Sequence, residues 1–206
     1  MTTAPAAAQM RLGVFGGAFD PPHLAHVALA AAAVDQLALD TLHVFPTGDA
    51  WHKQRDLTAA PHRLEMSRIA FAGLRGVVVD DRELRRTGPT YTIDTLRELK
   101  AESPAAQLFL VMGEDQAVGL TAWREWQAIY QLAIICVAAR PHGAGGSGPF
   151  GSRFPVEAEF RLIRLPAMPE SATEVRERLA AGEGIAHLVS DGVARYIDQH
   201  HLYRTN

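Results

Sequence analysis

The sequence predicts an α/β fold, a doubly wound, Rossmann-like parallel sheet with helices on both faces and a small C-terminal helical part. Apolar runs of strand length alternate along the chain with longer segments of helical character. These runs are continuous rather than alternating in polarity, which is typical of parallel strands buried on both faces. The 206 residues, 48% hydrophobic and 21% charged, are enough for one good core.

Six apolar segments are predicted to be strands. The first, "RLGVF", leads into a pair of glycines, and the fifth, "AIICVAAR", contains the only cysteine, Cys136. A single cysteine cannot form a disulfide within one chain, which fits a reducing compartment. The predicted strands cover residues 11–15, 41–45, 76–81, 107–112, 133–140 and 159–165.

Six intervening segments are predicted to be helices. Pro61 and Gly73 mark the start and stop of the second, in which Arg63 and Glu65 are expected to form a solvated face. The third places Ile93, Leu96 and Leu99 on one stripe. The predicted helices cover residues 24–39, 61–73, 91–102, 123–130, 171–182 and 191–203.

The chain is expected to form a flexible tail, residues 1–9, and a single domain, residues 10–206, interrupted by a flexible glycine-rich loop, 141–152. The N-terminus lacks the features of a signal peptide, and the longest strongly apolar run, 28–34, is too short for a bilayer. A net charge of -3 provides no global basic field. We therefore expect a cytoplasmic protein that binds neither membrane nor nucleic acid.

The stretch "GGAFDPPHLAH", residues 16–26, contains the first candidate site. Gly16 and Gly17 remove side chains that would obstruct a ligand, and free N–H groups at such a turn favour anions. His23 and His26 lie three residues apart at a helix start, so both can face one phosphate. A plain turn with surface histidines is the alternative. A zinc half-site is disfavoured because the pair lacks the i, i+4 spacing, glutamate or cysteine of known sites.

Ligands of a doubly wound sheet bind at the carboxyl ends of its strands. That rule predicts that residues 16–26, 46–53 and 113–115 lie along one edge of the sheet. Any phosphate site would therefore be assembled from the loops after the first, second and fourth strands.

The first stretch resembles the signature of the nucleotidyltransferase superfamily with the (H/T)xGH motif, in which a "GGTFDPxHxGH" segment closes the first strand. Ala18 and Ala25 depart from it, where a hydroxyl residue and a glycine are usual. The distant segment "SATEVR", residues 171–176, is similar to the S-x-T-x-x-R motif of the same superfamily.

Further segments resemble the nicotinate-nucleotide adenylyltransferase family. "PTGDAWHK" is similar to its loop after the second strand, with Trp51 in place of a proline. "ELRRTGPTYTIDTLREL" is similar to its E-x-x-R-x-x-x-S-Y-T-x-x-T-L block, with Thr90 in the serine position. "VMGEDQAVGLTAWREW" and "VARYIDQHHLYR" also match, so only residues 1–9 and 141–160 fall outside the resemblance.

The resemblance implies that ATP and nicotinate mononucleotide are joined to give nicotinate adenine dinucleotide and pyrophosphate, with Mg²⁺ delivered on ATP and no protein metal site. It implies catalytic roles for His23, His26, Lys53 and Arg176. Asp20 is expected to be structural. The implied ATP-binding residues are Gly16, Gly17, Ala18, Phe19, His23, His26, Gly113, Asp115, Ser171, Thr173 and Arg176, and the acceptor-binding residues are Lys53, Thr90, Tyr91, Thr92, Trp123 and Arg124.

Other functions remain open at this point. A pantetheine-phosphate adenylyltransferase or a cytidylyltransferase would share the superfamily motifs, and a non-catalytic nucleotide sensor would share the binding residues. A metal-dependent hydrolase is disfavoured by missing ligands. The sequence does not decide between nicotinate and nicotinamide mononucleotide, and it leaves the oligomeric state open, a homo-oligomer included.

Overall fold

The computed structural model describes residues 9–48, 57–139 and 160–204. These residues contain one six-stranded sheet in which every neighbouring pair is parallel, with the strand order β3-β2-β1-β4-β5-β6. The predicted fold class is confirmed. The strands are β1 Arg11–Gly17, β2 Thr41–Pro46, β3 Val77–Val79, β4 Gln107–Gly113, β5 Ala133–Ala139 and β6 Phe160–Arg164.

Eight α-helices and one 3-10 turn are present among the described residues. The helices are α1 Leu24–Gln36, α2 Ala60–Phe71, α3 Arg82–Arg85, α4 Thr92–Glu102, α5 Glu114–Val118, α6 Trp126–Leu132, α7 Ala172–Ala180 and α8 Asp191–Gln199. The 3-10 turn, Leu120–Ala122, lies between α5 and α6. None of the helices among the described residues has both the length and the apolar character needed to cross a membrane.

Several helix bounds differ from prediction for local backbone reasons. The first helix ends at Gln36 because Ala38 takes a left-handed conformation, φ 46°, while the Leu39 N–H bonds back to the Val34 carbonyl. His201, φ 50°, ends the last helix in the same way. The fourth predicted helix, 123–130, begins three residues late, at Trp126. The two single-turn helices α3 and α5 were not predicted, since four or five residues show no helical period.

Alternate residues of the central strands pack against two different helix layers. Leu108, Leu110 and Met112 face the cluster that includes α4 and α6, whereas Phe109 and Val111 face the cluster that includes α1, α2, α7 and α8. The predicted stripe of α4, Ile93, Leu96 and Leu99, is buried as expected. Full burial of each such side chain contributes about 1.5–3 kcal/mol.

The strand order creates a crevice beside β1, where the direction in which successive strands are added to the sheet reverses. Strand β1 pairs with β2 on one side and β4 on the other, so the chain winds outward both ways from β1. Gly17 lies opposite Pro46 in the register, and β4 ends at Gly113. The loops after β1, β2 and β4 therefore leave the sheet at one edge, where doubly wound folds bind their ligands.

Candidate functional site

The turn after β1 leaves the backbone open on one side and packed on the other. A Cβ added to Gly16 would meet nothing within 4 Å, whereas one added to Gly17 would lie 2.9 Å from the ring of Phe19. Phe19 is buried and holds a left-handed backbone, φ 46°. Gly17 is therefore required by internal packing, while Gly16 leaves room for a ligand.

A cavity of about 620 Å³ opens at this turn. It brings together His26, from the start of α1, and Arg176, from α7, as the two distant motifs predict. Ten of the residues predicted for ATP line it: Gly16, Gly17, Ala18, Phe19, His23, His26, Gly113, Asp115, Thr173 and Arg176. We call this cavity the phosphate cavity.

Ser171 is the predicted ATP residue that does not line the phosphate cavity. Its hydroxyl accepts a hydrogen bond from the Glu174 N–H, 3.1 Å, at the first turn of α7. Ser171 thus caps the helix that carries Thr173 and Arg176. In this structure Ser171 stabilises the start of α7 and does not contact the cavity.

The two histidine rings lie against each other at a tilt of 34°, with their centroids 3.7 Å apart. The backbone N–H of His23 donates to Nδ1 of His26, 3.2 Å, so a neutral His26 ring carries its proton on Nε2 and can donate from there. His23 is only 8% exposed, and burial lowers its pKa to about 4. Nδ1 of His23 is buried and finds no hydrogen-bond partner among the described residues.

Arg176 and Asp20 join the turn after β1, residues 16–20, which we call the phosphate turn, to the C-terminal part of the chain. Nη1 of Arg176 donates to the Asp20 carbonyl, 2.7 Å, and Nη2 donates to the Thr173 hydroxyl, 3.0 Å. The Asp20 carboxylate accepts from the Tyr203 hydroxyl, 2.6 Å, and from the Thr58 N–H, 3.2 Å. Burial and the neighbouring Asp20 charge raise the pKa of Tyr203, which keeps its donor proton. These contacts agree with the structural role expected for Asp20.

The prediction of a solvated face for Arg63 is wrong. Arg63 is 2% exposed, and its guanidinium donates to three backbone carbonyls: Thr58, Ala18 and Thr47. A charged residue in a helix usually faces solvent, but this side of α2 packs against the phosphate turn and the end of β2. Glu65, by contrast, is half exposed and pairs with Arg68 on the surface.

A second cavity, of about 280 Å³, adjoins the first and shares Gly16, Gly17, Ala18 and Gln116 with it. We call it the aromatic cavity. The predicted acceptor residues Thr90, Tyr91, Thr92, Trp123 and Arg124 all line it. The Arg124 guanidinium lies over the Tyr91 ring, 4.6 Å from its centroid. The buried Thr90 hydroxyl has no hydrogen-bond partner within the described part of the chain.

The backbone around Trp123 differs from the predicted helix. The backbone of Trp123 is extended, and Glu125, two residues later, has a left-handed φ of 51°. Glu125 is held there by Arg97, whose nitrogens lie 3.2 and 2.5 Å from its two carboxylate oxygens. This break in the helix allows Trp123 and Arg124 to line the aromatic cavity while Trp126 packs against Tyr130.

Sequence reasoning missed several lining residues. Glu83 and Thr47 line the aromatic cavity, Glu170 lines the phosphate cavity, and Gln116 lines both. Glu83 is 6% exposed, accepts from the Thr95 hydroxyl at 2.6 Å, and has its pKa raised to about 7 by burial. Glu83 opens the segment ELRRTGPTYTIDTLREL, but this motif alone does not show that its carboxyl is buried.

Lys53, predicted to meet phosphate, lies outside the described residues, as do the N-terminal eight residues and the predicted loop 141–152. Carboxylates also border the phosphate cavity, namely Asp20, Glu114, Asp115 and Glu170. Among the described residues no three histidine, cysteine, aspartate or glutamate side chains are grouped as metal ligands.

Comparisons with known proteins agree with this geometry. A model of the cytidylyltransferase-like family matches residues 14–178. A probable nicotinate-nucleotide adenylyltransferase of Albidiferax ferrireducens is 56% identical over 195 residues, covering 95% of this chain and 98% of the relative. A second protein of that name, from Methylibium petroleiphilum, is 44% identical, covering 96% and 94% of the two chains.

Solved structures share the fold. The nicotinic acid mononucleotide adenylyltransferase of Plasmodium falciparum, complexed with NaAD, superimposes with a TM-score of 0.79 at 20% identity. The match covers 95% of this chain and 98% of that one. At this identity the likeness supports the fold, and the sequence relatives identify the family.

Proposed function

The chain belongs to the nicotinate-nucleotide adenylyltransferase family, and we propose that it transfers the adenylyl group of ATP to nicotinate mononucleotide, a step of NAD biosynthesis. The observation that carries the proposal is the shared wall: Gly16, Gly17 and Ala18 border both cavities. One cavity offers imidazole and guanidinium groups to a triphosphate. The other offers aromatic faces and hydroxyls to a pyridine nucleotide.

The reaction requires little covalent chemistry from the protein. A 5′-phosphate oxygen of the mononucleotide attacks the α-phosphorus of ATP in line, the bond to the β-phosphate oxygen breaks, and pyrophosphate leaves with the electron pair. The attacking phosphate is already ionised, so no strong general base is needed. Catalysis then consists of holding two anions together and stabilising charge on the phosphate in transfer.

In the phosphate cavity, His26 is proposed to donate from Nε2 to the α-phosphate, because its Nδ1 is occupied by the His23 N–H. His23 lies against it and would bind the triphosphate, whose charge favours protonation against the effect of burial. Thr173 and Arg176 would hold the β- and γ-phosphates. Arg176 would then keep or exchange its bonds to Asp20 and Thr173.

Three further residues complete the proposed ATP and phosphate contacts. Asp115 lies in the first turn of α5, directly after β4, and lines the phosphate cavity, where its carboxylate can accept from a ribose hydroxyl. Ser171 contributes by capping α7. Lys53, outside the described residues, is proposed to steady the incoming phosphate, since it follows β2 by seven residues in the sequence and β2 ends at this edge of the sheet.

In the aromatic cavity, the pyridine ring is proposed to pack against Trp123 and Tyr91, with Thr90 and Thr92 supplying hydroxyls or backbone N–H groups. The free Thr90 hydroxyl supports this, because a buried polar atom without a partner is costly unless a ligand satisfies it. Arg124 would attract the carboxylate of nicotinate, which an amide cannot match in charge.

We expect Mg²⁺ to be bound to ATP as part of the substrate. Mg²⁺ usually keeps several waters and takes phosphate oxygens with one or two carboxylates. Glu170 fits this chemistry, since one of its oxygens is buried without a partner among the described residues and the residue lines the phosphate cavity. It can accept a hydrogen bond from a metal-bound water. We further propose a cytoplasmic location, which suits a chain whose single cysteine, Cys136, is buried as a thiol.

Pyrophosphate release tests the proposal. The purified protein is incubated with MgATP and, separately, nicotinate mononucleotide, nicotinamide mononucleotide or pantetheine phosphate, with a CTP arm for each. We expect rapid release with ATP and nicotinate mononucleotide and much slower release with the amide. Release with another acceptor or with CTP alone would favour another transferase of the superfamily. ATP binding without release in any arm would favour a sensor.

A further inference from the structure

We propose that Arg63, which touches neither substrate, is a positioning residue that aligns the two cavities for adenylyl transfer. The inference rests on the proposed function and goes beyond it, because it concerns a buried cation outside both cavities. Arg63 belongs to α2, and it is absent from the residues, among those described, that line either cavity. Its effect on the reaction must therefore pass through the groups that it binds.

Those groups are the backbone carbonyls of three separate segments. Nη1 donates to the carbonyl of Ala18, 3.0 Å, and to that of Thr47, 2.8 Å, while Nε donates to that of Thr58, 2.8 Å. Ala18 is part of the wall shared by the cavities, and Thr47 lines the aromatic cavity alone. A single nitrogen thus sets the separation between the shared wall and the end of β2.

Neighbouring hydrogen bonds extend this connection toward Arg176. The Thr47 N–H donates to the Gly17 carbonyl, 2.9 Å, and the Thr58 N–H donates to the Asp20 carboxylate. The Asp20 carbonyl accepts from Arg176. The phosphate turn is consequently held between two guanidiniums. Arg63 donates hydrogen bonds to the buried side of this turn, and Arg176 donates to the side that faces the phosphate cavity.

An arginine suits this task because its guanidinium is planar and projects donors in fixed directions. A lysine carries one point charge on a flexible stem, so it cannot reproduce the separate Nε and Nη1 bonds. Each cavity would keep its own side chains after such a change. The position of one cavity relative to the other would be less tightly fixed. A misplacement of about 1 Å between reacting atoms can cost about 10²-fold in rate. The rate of adenylyl transfer should therefore fall more than the affinity for either substrate alone.

The test compares Arg63→Lys and Arg63→Gln with two controls on the same helix. Ser67→Ala removes a buried hydroxyl that donates to the Arg63 carbonyl, 2.7 Å, but leaves the guanidinium intact. Arg68→Lys changes an exposed arginine that pairs with Glu65. For each protein, kcat and both KM values are measured, together with Kd for ATP, for nicotinate mononucleotide and for the dinucleotide product, which spans both cavities.

For Arg63→Lys we expect kcat to fall about 30- to 100-fold while both KM values stay within about threefold, on the scale of a misaligned reaction. The dinucleotide Kd should weaken by about tenfold, because one ligand senses the relative position of both cavities. Arg63→Gln should behave similarly, and both controls should stay within about threefold of wild type in every quantity.

Several results would overturn the inference. These are a normal kcat in both Arg63 variants, KM values that rise while kcat holds, or an equal loss in Ser67→Ala. Failure of both variants to fold at 20 °C, judged by circular dichroism, would make Arg63 a core residue instead. If wild type itself releases no pyrophosphate, the proposed function fails. An unweakened dinucleotide Kd in the Arg63 variants would then separately refute alignment.

Discussion

The two cavities lie side by side but are built in different ways. The phosphate cavity takes His23 and His26 from the start of α1 and Arg176 from α7, near the other end of the chain. The aromatic cavity takes its predicted acceptor residues from only two segments, around Tyr91 and Trp123. An anion with several charges needs cations and N–H groups from several directions, which only distant segments supply. A flat ring needs only two or three apolar surfaces.

Burial acts on one titratable group in each cavity, with opposite effects on the pKa. It lowers the pKa of His23 to about 4 and raises that of Glu83 to about 7. Both shifts favour the neutral form, as expected when desolvation is the largest cause. When phosphates enter the phosphate cavity, their negative charge favours the protonated form of His23. Glu83 is instead tied to Thr95, which also receives a bond from Arg86, so its role is to hold the wall of the aromatic cavity.

The largest effect is expected from His26→Ala in the phosphate cavity. Loss of a donor to the phosphate in transfer should lower kcat by about 10²- to 10³-fold with a folded protein. The matched control is His187→Ala, at an exposed position on the protein surface. Steady-state pyrophosphate release measures both variants. Near-normal turnover by His26→Ala would remove His26 from the reaction.

The two buried groups, His23 and Glu83, should make the free energy of unfolding depend on pH in opposite directions. Between pH 6.5 and 4 the unfolded chain takes up a proton at residue 23 that the folded chain does not, so stability falls on acidification by up to about 3 kcal/mol. Between pH 4.5 and 7 the folded chain keeps a proton on Glu83 that the unfolded chain loses, so stability falls as pH rises, by up to about 3 kcal/mol.

Urea unfolding at pH 4, 5, 6.5 and 8 separates the two contributions. His23→Asn should flatten the acid side of the profile, and Glu83→Gln, which can still accept from Thr95, should be more stable than wild type at pH 8. Identical profiles in wild type and both variants would contradict these assignments.

Arg176→Ala should raise the KM for ATP by about 10- to 30-fold, because a fork to the phosphates is lost, and should change the KM for the mononucleotide much less. Arg178→Ala is the control on the same helix, where the side chain pairs with Glu174 and Glu183. An unchanged KM for ATP would place Arg176 outside the phosphate site and leave it only its bonds to Asp20 and Thr173.

Trp123→Ala should give the converse result in the aromatic cavity. Loss of the ring face should raise the KM for nicotinate mononucleotide by about tenfold and leave that for ATP within about twofold. Trp126→Ala, which removes a ring that packs on Tyr130, is the control. If both KM values rose together in Trp123→Ala, the two cavities would not be separate binding sites.

Much of this architecture could be predicted from the sequence, because its signals are local or motif-like. The six strands follow from continuous apolar runs, and the approach of His26 to Arg176 follows from two motifs together with the strand-end rule. The burial of Arg63 could not be predicted, since its partners are backbone carbonyls from other segments. The same holds for the break at Glu125, which depends on a contact with Arg97 across the fold.

A crystal structure with a non-hydrolysable ATP analogue and nicotinate mononucleotide bound together would examine the shared wall directly. We expect the triphosphate between His26 and Arg176, the pyridine ring against Trp123, and the attacking oxygen about 3–3.5 Å from the α-phosphorus beside Gly16. Both ligands in one cavity, or a triphosphate remote from either His26 or Arg176, would contradict the two-cavity mechanism.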